Sequence, residues 1–240
     1  MYAEPHVTSI QVSQRLCGHE VELLEESDDW HRVRGVDGYE GWIHRGFLAP
    51  APPAAARRSA LLSRISLGCI TELPGGSTRA LPLGARLSPA EQVRWGEVID
   101  EPELPTRFPR VAVPITRSAQ EFYEGASYLW GGITPWGADC SGFAQTIFGL
   151  HGVPLPRDAW QQSETGTDAG ALEDLEPADL AFFTDRKDKR VTHVAIALGK
   201  SRIVHLALGR GGFAVESLTN TKDPYVGKLR KRFLRARRVL

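Results

Sequence analysis

The chain has little with which to cross-link itself. Its 240 residues include only three cysteines, Cys17, Cys69 and Cys140, too few for a disulfide framework. Unpaired cysteines fit a reducing compartment, so the cytoplasm is the expected location. There is no surplus of charge either. Twenty-nine basic residues balance 29 acidic ones, and no strong field draws in nucleic acid or a membrane surface. No apolar run reaches the ~18 residues of a membrane-spanning helix. The first residues, MYAEPHVTSIQVSQRL, lack a basic start followed by an apolar stretch, so no signal peptide is expected.

What the chain does have is concentrated in residues 128–143, YLWGGITPWGADCSGF. Gly131, Gly132 and Gly137 allow a sharply turning loop that approaches other groups closely. After Cys140 the pattern becomes helical: Phe143, Ala144, Ile147, Phe148 and Leu150 recur at steps of three and four, and Gly152 stands where the helix should stop. Cys140 therefore opens a helix, where unpaired N–H groups and the dipole favour a thiolate. An arbitrary cysteine is more often a small buried hydrophobe. The histidines downstream reverse that balance.

Residues 179–184, 192–198, 202–208 and 213–217 read as successive strands separated by glycine turns, an antiparallel meander. With the nucleophile's helix ahead of it, this is an α+β layout. In 192–198 the residues His193, Ala195 and Ala197 share one face; in the next strand Ile203, His205 and Ala207 do. A three-residue loop over 199–201 sets His193 opposite Ala207 and His205 opposite Ala195, so the imidazoles are diagonal neighbours. A two-residue loop would put them on opposite faces. The small alanines would leave room for the helix end carrying Cys140. His193 would take the thiol proton and return it to the leaving amine, and His205 would fix the tautomer of His193. A lone strand histidine is usually structural, and His6, His19, His31, His44 and His151 show no such arrangement. Cys140 with two histidines is also three-quarters of a zinc site, but nothing suggests a fourth ligand, so no metal is expected.

Upstream, residues 1–50 read as a small β unit with the strand GYEGWI, and the acidic cluster Glu22, Glu25, Glu26, Asp28 and Asp29 as a solvated hairpin tip. Residues 51–59 are a Pro/Ala linker by composition. Residues 60–115 read as a second β domain, with Cys69 in its core and RVAVPI as its last strand. A short helix is expected over 116–125, capped by Thr116 or Ser118. The basic run Lys228, Arg230, Lys231, Arg232, Arg235, Arg237 and Arg238 reads as a final strand with a solvated face.

The segments YLWGG, DCSGF, PRDAWQQ, DLAFF, THVAIALG and IVH, in that order over residues 116–240, resemble the NlpC/P60 family of papain-like cysteine peptidases. GHEVELLEESDDWHRVRGVDGYEGWIHRGFL resembles a bacterial SH3 (SH3b) domain, and 60–115 would be a second, divergent one. The resemblance implies an α+β papain-like catalytic domain behind one or two small SH3b barrels, with Cys140, His193 and His205 as its catalytic set. It implies a monomer without cofactor that cleaves murein tri- or tetrapeptides between γ-D-glutamate and a diamino acid, diaminopimelate or lysine. The SH3b arrangement points to the γ-D-glutamyl-L-diamino acid endopeptidases of murein recycling, whose substrates carry a free N-terminal L-Ala. Asp158, Tyr39 and Glu4 match positions that meet that amine; Tyr128, Trp130, Asp139 and Ser141 match positions lining the pocket. Ala159 stands where some relatives have Ser. The bland readings are caps for Asp139 and Asp158 and core aromatics for Tyr128 and Trp130. Two other functions stay open: a cell-wall-binding module with an inactive papain-like domain, which the intact Cys/His/His set argues against, and an amidase or acyltransferase acting on another amide.

Overall fold

The structure, a computed structural model, describes residues 1–50, 64–73, 75–87 and 91–240. The linker expected at 51–59 lies outside the described residues. The chain divides into two compact units, Met1–Arg107 and Phe108–Leu240.

In the first unit, Val21–Ser27 (β1), Trp30–Gly35 (β2) and Glu40–His44 (β3) form an antiparallel meander. Its inward residues Val33 and Ile43 bury together with Met1, and Tyr2 bridges to Trp42. A second sheet uses Arg64–Glu72 (β4), Thr78–Leu81 (β5), Arg86–Leu87 (β6) and Gln92–Asp100 (β7), with β4 at its centre. Cys69 is in its core with Leu81, Ala85 and Leu87. Residues 16–19 tie the two sheets together: Leu16 packs on that core, Arg86 N–H donates to the Cys17 carbonyl, and His19 Nε2 meets the Gly84 carbonyl at 3.1 Å. The unit ends on a short helix, Leu104–Arg107 (α1).

The RVAVPI stretch is not a strand. Helix α2 runs Ala112–Tyr123, so it starts before the expected 116 and takes in Ala112 to Ile115. Pro114 falls in the first turn, where its missing N–H has no helical partner to lose, and Ile115 turns fully inward. Beyond it, Ile133–Thr134 (β8) and Gly137–Ala138 (β9) pair as a small hairpin leading into Cys140–Leu150 (α3). The short helix Ala159–Gln162 (α4) follows.

The second unit is built on a six-stranded sheet: Thr167–Asp168 (β10), Leu180–Phe183 (β11), His193–Gly199 (β12), Arg202–Ala207 (β13), Gly212–Ser217 (β14) and Phe233–Arg238 (β15), in the order β10-β15-β11-β12-β13-β14. Helix α3 packs against β12 and β13. Val194, Ile196, Val204 and Leu206 are completely buried on one face. On the other, Ala195 and Ala197 do not open space for the end of α3 as expected. They belong to a core cluster with Leu172, Leu175, Leu218 and Leu229. Leu229 comes from an unforeseen helix, Pro224–Arg232 (α5). The front of the basic run is thus helical and only its end is a strand. Asp223 caps α5, and Pro224 sits in its first turn, where proline is pre-set for a helix.

Candidate active site

Cys140 is the first residue of α3, as its helical spacing required. Asp139 is the N-cap, accepting from Gly142 N–H at 2.7 Å. Gly142 must be glycine here: a Cβ would stand 2.1 Å from the Gly132 carbonyl oxygen, so no larger residue lets the helix start this close to the loop. Asp139 was expected against the substrate, but protein donors occupy both its oxygens. Oδ1 also accepts from Ser141 Oγ (3.1 Å) and Arg157 Nη1 (3.0 Å); Oδ2 accepts from Arg157 Nη2 (2.7 Å) and Gly131 N–H (2.9 Å). Ser141 Oγ accepts a further bond from Arg157 Nη1 at 3.0 Å. Both residues fix the loop around the nucleophile. Arg157 is 1% exposed, and sequence reasoning missed it; the signal was a lone charge closing the apolar run VPLPR. Gln162 of α4 was missed too: its Nε2 donates to the Ser141 carbonyl at 3.0 Å.

The histidines meet. His193 Nε2 and His205 Nδ1 are 2.9 Å apart, and the rings are edge-on with centroids 5.0 Å apart. The loop joining their strands is nevertheless not the expected one. Gly199 pairs with Arg202, leaving a two-residue turn of Lys200 and Ser201, both left-handed at φ 52° and 55°, the geometry of a hairpin turn matched to strand twist. A bulge between Ala197 and Gly199 then restores the pairing of Ile196 with Val204. The extra bulged residue flips the parity back, and both rings return to one face.

Burial acts against the charged forms of both Cys140 and His193. Burial pushes the Cys140 thiol up to about 12, helped by the Asp139 charge and opposed by N–H groups of Val194 and Ser141 and by Arg157. The helix start therefore moderates the thiol rather than ionising it. His193 is held well below its ordinary range by burial, then by His205 and Arg232. With its Nε2 engaged by His205, Nδ1 is the nitrogen left to accept the thiol proton. His205 is completely buried. Behind it stands Glu216, a further residue not anticipated, although the diagonal rule that paired the histidines reaches it: Ala214 faces His205, and Glu216 lies two residues on.

Burial, Cys140 and Asp139 raise the Tyr128 phenol, which places it in the same neighbourhood. Trp130 is 64% exposed. Asp158 accepts from the Trp160 indole at 3.2 Å, and its N–H donates to Gln161 at 3.3 Å, so it does serve α4 as a cap. Tyr39 and Glu4 belong to the other unit. Tyr39 lines a cavity of about 340 Å³ there with Arg32, Glu40 and Trp42, and Glu4 holds His6 at 2.8 Å. Among the described residues no group of His, Cys, Asp or Glu side chains is arranged to hold a metal ion, and no helix is long and apolar enough to cross a membrane.

Residues 125–235 match the model of the NlpC/P60 family, and residues 1–46 that of the bacterial dipeptidyl-peptidase Sh3 domain. A gamma-D-glutamyl-L-lysine dipeptidyl-peptidase of Bacillus subtilis (strain 168) is 29% identical over 244 residues, covering 90% of this chain and 78% of its own length. A probable endopeptidase of Haemophilus influenzae is 33% identical over 132 residues, 55% of this chain and 77% of the relative. The crystal structure of an NlpC/P60 family protein from Bacillus cereus ATCC 10987 shares the fold, with a TM-score of 0.77 at 22% identity over 95% of this chain and 82% of that one.

Proposed function

Because the chain belongs to the NlpC/P60 family of peptidases, with an SH3 domain at its N-terminal end, we propose that it hydrolyses the bond between γ-D-glutamate and a diamino acid in murein peptides whose N-terminal L-Ala is free. The observation that carries this reading is the 2.9 Å pairing of His193 with His205 on strands against which the helix opened by Cys140 packs, joined with the name of the Bacillus subtilis relative and the match of residues 1–46 to the bacterial dipeptidyl-peptidase Sh3 domain.

His193 Nδ1 takes the proton from Cys140 as sulfur attacks the glutamyl carbonyl. Burial disfavours a free thiolate, and the N–H groups of Val194 and Ser141 and the Arg157 charge favour it as the proton leaves. His193 then protonates the leaving amine, and water releases the acyl group from sulfur by the reverse transfer. Asp158, partly exposed beside the nucleophile's loop, would be the group suited to the substrate ammonium. The aromatic groups Tyr128 and Trp130 would line the peptide's path.

The test is hydrolysis of L-Ala-γ-D-Glu-L-Lys and L-Ala-γ-D-Glu-diaminopimelate by wild type and Cys140→Ala, each beside its N-acetylated form. Cys140→Ala should be folded and inactive. Acetylation should lower kcat/KM by at least roughly 10³-fold, as expected of a site built on polar pairing. Equal rates on free and acetylated peptides would defeat the free-amine reading, and a folded, active Cys140→Ala would defeat the mechanism.

A further inference from the structure

Glu216 is 6% exposed on β14 and its carboxylate is not left to itself. Arg210, from the turn between β13 and β14, grips it from one side, Nε to Oε1 at 2.6 Å and Nη2 to Oε2 at 3.1 Å. Arg210 is in turn held by Asp223, the cap of α5, and lies over the Tyr225 ring at 4.3 Å. The other side of Glu216 faces His205: Oε1 is 3.7 Å from Nε2. That nitrogen is buried and has no hydrogen-bond partner. A buried polar atom without a partner is uncommon and calls for a reason. Catalytic contacts are often long in an empty site and tighten only when substrate is bound.

We propose that Glu216, braced by Arg210, is a positioning residue that fixes the His205 tautomer and thereby aims the lone pair of His193 at Cys140. The assignment follows proton by proton. If His193 is to accept at Nδ1, its own proton is on Nε2 and donates to His205 Nδ1. His205 Nδ1 is then the acceptor, and its proton must be on Nε2, pointing at Glu216. A carboxylate there favours that tautomer, since the alternative would aim a lone pair at a negative charge. When the thiol proton reaches His193 Nδ1, the imidazolium charge stays on His193, where the oriented His205 dipole and the Glu216 charge stabilise it, and no second proton moves; Glu216 stays ionised throughout. Burial raises Glu216, but the approach of His205 and the bonds from Arg210 outweigh it and keep the carboxyl below its ordinary range.

The charged and titratable groups facing this pair come from each neighbouring element: His193 from β12, Cys140 from the start of α3, Arg210 from the turn, and Asp223, Tyr225 and Arg232 from α5 and its cap. Glu216, Arg210 and Asp223 together carry one net negative charge, which favours an imidazolium; Arg232 opposes it at His193. Removing the Glu216 charge should therefore make His193 a weaker base.

This inference rests on Cys140 and His193 being the reacting pair, and two readouts judge it without any substrate. In wild type with ¹⁵N-histidine, long-range N–H spectra should show His205 protonated at Nε2; a proton on Nδ1 overturns the proposal before any variant is made. In Glu216→Gln, iodoacetamide alkylation of Cys140 near neutral pH should slow by roughly tenfold, the effect of one pKa unit in the base. With L-Ala-γ-D-Glu-L-Lys, kcat should fall at least as far while KM stays within about twofold, and the acid limb of kcat/KM should move to lower pH. Arg210→Met, which leaves the carboxylate but removes its brace, should move the same three readouts part of the way. A folded Glu216→Gln with wild-type alkylation rate and acid limb would overturn the proposal. Should wild type fail to cleave the peptide, the substrate reading falls, and the tautomer and alkylation readouts still decide the role of Glu216.

Discussion

On the β1–β3 sheet, Arg34 reaches Glu40 at 2.7 Å and Glu22 at 3.1 Å with its side chain 43% exposed. Beside the nucleophile, Arg157 reaches Asp139 at the same 2.7 Å with its side chain 1% exposed. Distance does not separate the two pairs; solvent does. Water screens the first and solvates either partner well when the other is removed. The second can be broken only by leaving a charge in the interior, where its neighbours cannot replace what it lost. The first unit thus carries Arg34 on its surface, and the second uses Arg157 as a fastening between the Gly131–Gly132 loop, the start of α3 and the segment before α4.

Breaking the buried fastening should have the largest effect. Arg157→Met is expected to cost about 3–5 kcal/mol, the usual result of orphaning one member of a buried pair, a large share of the stability of an ordinary domain. Urea unfolding followed by tryptophan fluorescence would measure it. Because Asp139 also caps α3, activity should fall even at temperatures where the variant is folded. A loss no larger than that of a surface pair would show that solvent enters the loop. At the other extreme, Arg34→Ala should leave the urea midpoint where it was and should make no difference that added salt does not also make. A clear destabilisation there would mean that the exposed cluster of Arg32, Arg34, Glu22 and Glu40 acts as a network.

The same contrast explains what could be read from residues alone. Alternation and glycine punctuation exposed the meander of β11 to β14, and helical spacing after Cys140 exposed α3, because both follow from one face being buried. The two histidines met although the loop between them was misjudged: the shorter turn at Lys200 and Ser201 and the bulge after Ala197 cancel in parity. Neither device has a strong residue signature here, since Lys and Ser are not the usual occupants of left-handed positions. Helix α5 was hidden because its sequence, PYVGKLRKR, ends in a charged run and buries only Val226 and Leu229. Arg157 and Glu216 were passed over for a related reason. A charged residue reads as a surface residue until the partner that neutralises it is known: Asp139 lies 18 residues before Arg157, and Arg210 reaches Glu216 from the turn before β14.

One consequence of the buried thiol concerns damage rather than catalysis. Peroxides attack thiolates, and the order in which cysteines oxidise follows exposure and thiolate character. Cys140 is buried and pushed up to about 12, whereas Cys17 is exposed on the other unit. Mass spectrometry of protein treated briefly with hydrogen peroxide should find Cys17 converted first, with peptidase activity intact; early sulfenic acid at Cys140 would contradict a neutral resting thiol. Burial that resists a free thiolate also gives an oxidant little to react with between turnovers.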